Sequence, residues 1–358
     1  MELKSPDMKA VQRVLIIKMS ALGDIIHALP VAAALGEAYP HLEISWFVEA
    51  PLAPLLTGNP YLTEVISLPK YRGKDLLSMH CLRDVGRHLG AVRDRRFDLT
   101  LDLQGLTKSA TVAYASGAQL RFGYHWLREI ARMVEKPIPP RPESLHIVDQ
   151  YLDVARFLGA PIEKPIFPFH VPEADRTAVE AMLCAEGIGP DMPFVALNPA
   201  SARAIKQWGA ERYAALSDAL YSRDGLRSVL LTADTAVAGA VMAAARHPLV
   251  SLAGRTNLKQ LAGVLRRSAV HVCGDTGSGH LAAALERPVV SIIGPTDPER
   301  VCPYGQRANT LSRRENCGRA CDWHHCEFAH PRCLDAVSVV EVADKVVSLL
   351  PVSTLIGG

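Results

Sequence analysis

The feature that most constrains this chain is an alternation that occurs twice. Short runs rich in Val, Ile and Leu are each followed by a longer amphipathic stretch. Short apolar runs bounded by turn residues read as buried strands, and the stretches between them carry helical spacing. In the first half this predicts strands over 11–18, 44–49, 65–68 and 99–103, and helices over 24–39, 75–96, 107–115 and 144–158. Pro30 falls inside the first helix and is expected to kink or restart it, because proline lacks the backbone donor and crowds the preceding turn. The segment "GAPIEKPIFPFHVPEAD" (159–175) carries four prolines and neither periodicity, so it reads as a linker. The alternation then restarts. Strands are expected over 194–197, 228–232, 250–252, 270–273 and 289–293, helices over 211–222, 236–246, 258–267 and 279–285, and a last amphipathic helix near 339–350. Strands separated by helices pair in parallel, with helices on both faces of the sheet. The expected fold is therefore α/β, with two doubly wound Rossmann-like domains facing an interdomain cleft. The expected division is 1–165, 166–335 and a terminal segment 336–358 that packs back on the N-terminal domain.

Composition narrows the function classes. A chain of 358 residues suits two domains better than one. A formal net charge of +2 and a pI of about 8.1 argue against bulk nucleic-acid binding. No apolar run approaches the roughly 18 residues of a membrane helix, and "MELKSPDMKA" lacks the apolar core of a signal peptide. These absences lead to the expectation of a cytoplasmic protein.

The first candidate site lies in "VLIIKMSALGDIIHALP" (14–30). Strand, short turn and helix follow one another as in a nucleotide-binding unit, but the G-x-G-x-x-G spacing is missing. Asp24 follows Gly23, and a carboxylate at this helix start would repel a pyrophosphate. The residue reads as a helix cap, a chemical group, or both. The second candidate lies in "VHVCGDTGSGHLAAALERPVVSIIGPTDP", where a strand runs through Gly274–Gly279 into a helix. Small residues at a helix N-terminus let backbone N–H groups approach an anion, and the helix dipole favours negative charge there. Thr276 and Ser278 can add hydroxyl donors, His280 is in the first turn, and Asp275 can tie the loop down or bind a sugar hydroxyl. "NPASARAIKQWGAERY" follows another strand and supplies Ser201 and Lys206, the latter able to neutralise a diphosphate as a point charge. Asp234, after a further strand end, is a candidate ribose ligand.

"SALGDIIHALP", "DLQGLTKSA" (102–110), Lys206-Gln207-Trp208 and "DTGSGHLAAALERP" with "GPTDP" occur in this order, and together they resemble the family 9 glycosyltransferases. The resemblance spans about residues 14–305. It implies a GT-B fold and an inverting, metal-independent transfer of L-glycero-D-manno-heptose from ADP-heptose to the Kdo region of the lipopolysaccharide inner core, with no cofactor required for catalysis. It implies Asp24 as general base, a role that suits a carboxylate placed to take a proton from an attacking sugar hydroxyl. It further implies Lys206 and Ser201 at the donor diphosphate, Asp275, Thr276, Gly277 and His280 in the phosphate and heptose loop, and Thr256 near the adenine. The family's ribose-binding glutamate aligns near Ala236, two residues from Asp234. For the anionic Kdo–lipid A acceptor, the basic loop Lys70, Arg72 and Lys74 is the candidate, with Arg93–Arg96 as a second basic run. Weak peripheral association with the inner face of the inner membrane is expected, and no nucleic-acid partner.

Four of the eight cysteines cluster as "CGRACDWHHCEFAHPRC". Cys317, Cys321, Cys326 and Cys333, interleaved with histidines, are a candidate set for a structural zinc or iron ion, with thiols packing a loop as the alternative. The rival functional readings are a family 9 transferase with another donor or acceptor, a nucleotide-sugar binding protein without catalysis, and an NAD oxidoreductase disfavoured by the missing glycine fingerprint.

Overall fold

The computed structural model describes residues 3–71, 78–128, 130–317, 326–328 and 331–350. The chain divides into two compact units, Met1–His170 and Val171–Gly358, with the division inside the proline-rich stretch. In the first unit the elements run β1 (Arg13–Ile17), α1 (Leu22–Ala38), β2 (Glu43–Glu49), β3 (Glu64–Leu68), α2 (Met79–Asp94), β4 (Leu99–Asp102), α3 (Thr107–Ala115), β5 (Leu120–Tyr124), α4 (Ala131–Val134), β6 (Lys136–Ile138) and α5 (Ile147–Phe157). The strands form one parallel sheet in the order β3-β2-β1-β4-β5-β6.

The second unit repeats the plan. Its elements are α6 (Glu173–Ala185), β7 (Phe194–Asn198), α7 (Ala210–Asp224), β8 (Arg227–Leu230), α8 (Thr235–Ala244), β9 (Val250–Ser251), α9 (Leu258–Arg267), β10 (Val270–Gly274), α10 (Gly277–Ala284), β11 (Val289–Ile293), α11 (Pro298–Val301), β12 (Thr310–Ser312), α12 (Arg332–Asp335) and α13 (Val339–Ser348). The sheet order is β12-β11-β10-β7-β8-β9. Counted within each unit, the order is the same. The chain therefore reverses its winding between β1 and β4 in the first sheet and between β7 and β10 in the second. Parallel sheets bind ligands outside the carboxyl ends of the strands at such switch points.

The doubly wound α/β expectation holds, with local corrections. Pro30 does not break α1, which is one helix from Leu22 to Ala38 and is buried from Ile25 to Leu35. Burial against α5 and the sheet outweighs the single hydrogen bond that proline removes. The strands β5, β6 and β12 carry no clear strand pattern in the sequence: β6, at the sheet edge, is only "KPI", and proline is confined to such edges. Helix α6 starts at Glu173, inside the segment read as linker. The terminal helix was expected to return to the first domain. Instead Val342, Ala343 and Val346 of α13 are buried in the core of the second unit with Leu216 and Leu220 of α7, because its apolar stripe completes that sheet's cover.

Candidate functional site

At the first switch point, three loops meet. Asp102, at the end of β4, is fully buried, and its Oδ1 accepts the backbone N–H groups of Gln104 (2.7 Å) and Gly105 (2.9 Å). Gly105 adopts φ +70°, which an L side chain resists. The turn so formed aims Gln104 Oε1 at the N–H groups of Met19 and Ser20, 3.2 Å each, and this fixes the loop after β1. Asp24 sits at the third position of α1. One of its carboxylate oxygens accepts the Ala21 N–H at 3.2 Å, while the side chain stays 47% exposed. It is thus a cap and still open to solvent.

Lys18 lies beneath it. Its buried ammonium donates to the Leu103 carbonyl (3.1 Å), lies over the Tyr151 ring and stands 3.9 Å from Asp24 Oδ2. Burial pulls this ammonium below its usual range, opposed by the Asp24 and Asp102 carboxylates. Glu49, the other carboxylate at a strand end here, is held between Lys108 (2.9 Å) and Lys70 (2.7 Å). Burial pushes its carboxyl up, but the two lysines more than offset this, so it titrates below the usual carboxylate range. Held by two lysines, Glu49 is accordingly a weaker base than an ordinary carboxylate. Glu135 packs against Gly123, the residue paired with Asp102 across the sheet. Burial and the neighbouring Asp102 push Glu135 up to about 10, so it stays protonated at neutral pH.

At the second switch point, Lys206 follows β7 and Asp275 follows β10. Lys206 Nζ meets Asp275 Oδ2 at 2.7 Å, and both side chains are about 15% exposed (15% and 14%). Thr296 Oγ1 also donates to Asp275 Oδ2 (2.9 Å), Ser201 Oγ donates to the Asp275 carbonyl (3.4 Å), and His280 Nε2 stands 4.0 Å from Asp275 Oδ1. A Cβ on Gly274 would stand 3.1 Å from the Lys206 carbonyl, so glycine permits the two loops to approach. Helix α10 begins at Gly277 behind the Thr276 cap. Helix geometry leaves the N–H groups of its first turn without acceptors inside the helix, and this is what an anion uses.

Ser278 departs from its expected role. His271 is buried, and burial lowers its imidazole to about 4, so it is neutral. Its Nδ1 faces the Ala196 carbonyl at 3.0 Å and must carry the proton, which makes Nε2 an acceptor. The Ser278 hydroxyl, 3.0 Å away, donates to Nε2, while Asn198 Nδ2 (2.8 Å) and Thr276 Oγ1 (3.0 Å) donate to Ser278. Both loop hydroxyl protons are spent inside the fold. An anion here is left to the backbone N–H groups and Lys206.

The structure brings Ser201, Lys206, Asp275, Thr276, Gly277 and His280 into one cluster. Asp234 caps α8, its Oδ1 accepting the N–H groups of Ala236 (3.1 Å) and Val237 (3.0 Å). Thr256 is half-buried just before α9. Of the proposed acceptor loop, Lys70 is paired to Glu49, and Arg72 and Lys74 lie outside the described residues. Trp126 packs edge-on against Tyr124 and Tyr151. Cys321 lies outside the described residues, Cys317 and Cys326 are half-buried thiols, and Cys333 is turned into the core of the second unit. Among the described residues no group of three or more His, Cys, Asp or Glu is disposed to hold a metal. Among them, too, no helix is long and apolar enough to cross a membrane. Sequence reasoning missed Lys18, Gln104, Lys108 and His271. Lys18 and His271 could have been found as polar residues in otherwise apolar strands.

Two six-stranded doubly wound units in one chain are the architecture of the GT-B class. The model of glycosyltransferase family 9 (heptosyltransferase) matches residues 85–328. The lipopolysaccharide heptosyltransferase 1 of Pseudomonas aeruginosa is 30% identical over 301 residues, covering 73% of this chain and 83% of that protein. The lipopolysaccharide core heptosyltransferase OpsX of Haemophilus influenzae is 23% identical over 265 residues, 70% of each. Among solved structures, Escherichia coli heptosyltransferase WaaC with ADP superposes with a TM-score of 0.73 at 22% identity, covering 94% of this chain and 100% of that one. The family 9 glycosyltransferase of Veillonella parvula gives 0.77 at 20% identity, covering 94% and 97%. This chain belongs to glycosyltransferase family 9, the heptosyltransferases.

Proposed function

We propose that this enzyme transfers L-glycero-D-manno-heptose from ADP-heptose to the Kdo region of a Kdo–lipid A acceptor, with inversion and without a metal. The observation that carries this reading is the division of charge between the two switch points. In the first unit Asp24 is 47% exposed with Lys18 at 3.9 Å, while Glu49 is 10% exposed and held by Lys70 and Lys108 at 2.7 and 2.9 Å. In the second, Lys206 stands beside the start of α10. Asp24 takes the proton of the acceptor hydroxyl as its oxygen bonds to the anomeric carbon. The bond from that carbon to the diphosphate oxygen breaks, and ADP leaves with the electron pair, stabilised by Lys206 and the N–H groups of α10. Attack opposite the leaving group inverts the anomeric centre. Ser201, Thr256, Asp234 and His280 are assigned to the donor, and Lys70, Arg72 and Lys74 to the acceptor anions.

The test is transfer from ADP-heptose to Kdo–lipid A in the presence of EDTA, with product anomer read by NMR. Activity lost with EDTA and restored by Mg²⁺ overturns metal independence, and retention of configuration overturns the single displacement. UDP- or GDP-sugars used equally well favour a family 9 enzyme with another donor. The Cys317–Cys333 segment is proposed to carry a structural zinc or iron ion with no part in transfer. The half-buried Cys317 and Cys326 support it, and the buried Cys333 favours packing. Elemental analysis of untagged protein decides: about one ion per chain supports the proposal, and none leaves packing alone.

A further inference from the structure

The helices α2, α3 and α4 form one layer on the first sheet. Val92 of α2 and Val112 of α3 are buried against Leu15 and Ile17, and Ala110 of α3 packs against Ala131 of α4. With their inner sides so used, the outer sides should be polar, and they are so only in part. Met79 (72% exposed), Leu82, Tyr114, Ile130 and Met133 (85% exposed) all project to solvent from this layer or its edge. Helices α1 and α5, which pack on each other in the same unit, display no large exposed apolar side chain. Between the apolar residues stand the exposed guanidinium groups of Arg83, Arg87, Arg93, Arg128 and Arg132. Among the described residues of the three helices, Asp94 is the one exposed carboxylate, since Asp84 is buried and bonded to the Tyr71 hydroxyl.

Exposed Met, Leu, Ile and Tyr interleaved with arginines, with almost no acid, is the composition that lies on an anionic bilayer. The apolar tips enter the headgroup boundary while long cationic side chains stay at its level. Arg87 is paired with Asp84 at 3.2 Å, but a protein partner of ordinary composition would still meet an excess of positive charge. We propose that the α2–α3–α4 face is a docking surface for an anionic lipid membrane. The proposal deepens the function above and rests on it for the membrane as the place where a lipid-linked acceptor is met.

The test is flotation of the full chain with vesicles of phosphatidylcholine, alone or with about one-third phosphatidylglycerol, with neither donor nor acceptor present. The chain should float with the anionic vesicles, be released as salt rises from about 0.05 to 0.5 M, and stay unbound with the neutral ones. The pair Met79→Ser and Met133→Ser, and separately the pair Arg83→Gln and Arg93→Gln, should each lower partitioning about tenfold. These side chains face solvent, so the fold is kept, and thermal unfolding checks it. Equal binding to neutral and anionic vesicles, or undiminished binding by both pairs, overturns the proposal. So does a concentration-dependent dimer in lipid-free sedimentation that the Met pair abolishes, which would assign the face to a second copy of this chain. Failure of the transfer assay alone would leave the lipid result standing.

Discussion

Replacing Lys206 by Met tests the donor site most directly. The substitution keeps the aliphatic stem and removes the charge. The Lys206 ammonium lies 2.7 Å from Asp275 Oδ2, and neither side chain is more than 15% exposed. Two losses follow. A charged hydrogen bond to the leaving diphosphate is worth roughly 1.5–3 kcal/mol. Asp275 is then left beside the anion site with Thr296 as its remaining close donor. A unit charge about 5 Å from a phosphate charge costs on the order of 3 kcal/mol at an effective dielectric of about 20. Together these predict a fall of roughly 10³–10⁴-fold in kcat/KM. The second term has a signature of its own: the double variant Lys206→Met with Asp275→Asn should recover at least about tenfold over the single variant, because the amide keeps an oxygen for Thr296 and loses the charge. The assay is initial rates with ADP-heptose, alongside ADP binding by calorimetry and thermal unfolding to confirm the fold. If the single variant binds ADP and turns over like the wild type, Lys206 is outside the site. If Asp275→Asn gives no recovery, the repulsion argument is wrong.

Three further outcomes are expected. Asp24→Asn should cut turnover by roughly 10²–10⁴-fold with ADP affinity within about twofold, since the amide oxygen can still accept the Ala21 N–H; equal losses in both quantities would make Asp24 a donor contact. Glu135 titrates above its unfolded value, near 10, so the folded state holds a proton the unfolded chain releases, and stability should fall as pH rises from about 4.5 towards 10, by at most roughly 1.4 kcal/mol per pH unit. Glu135→Gln should unfold like the wild type at pH 5 and at a higher temperature at pH 9, and parallel curves would refute this. Ser278→Ala leaves His271, Asn198 and Thr276 without their shared partner and should cost about 1–3 kcal/mol in urea unfolding, whereas an unchanged midpoint would mean the network is not formed.

Much of this molecule was legible in the chain. The repeated alternation of strand and helix signals fixes two doubly wound sheets, because period and turn chemistry are local properties that survive without tertiary context. The loops that follow β1, β7 and β10 could be located for the same reason, and with them Asp24, Lys206 and the start of α10. What the local signals could not supply was pairing. Lys206 and Asp275 are 69 residues apart, and Lys18 and the Leu103 carbonyl 85 apart, and they meet because the sheet order reverses between the strands that carry them. The tertiary structure alone decided that Glu49 is held between two lysines, and that Ser278 turns its proton to a buried histidine instead of an anion. It also decided that Pro30 sits in an unbroken helix, and that α13 and Cys333 belong to the second core. Each of these outcomes depends on burial, which sets the cost of an unpaired charge or an unmade hydrogen bond, and burial is a property of the packed chain rather than of any stretch of it.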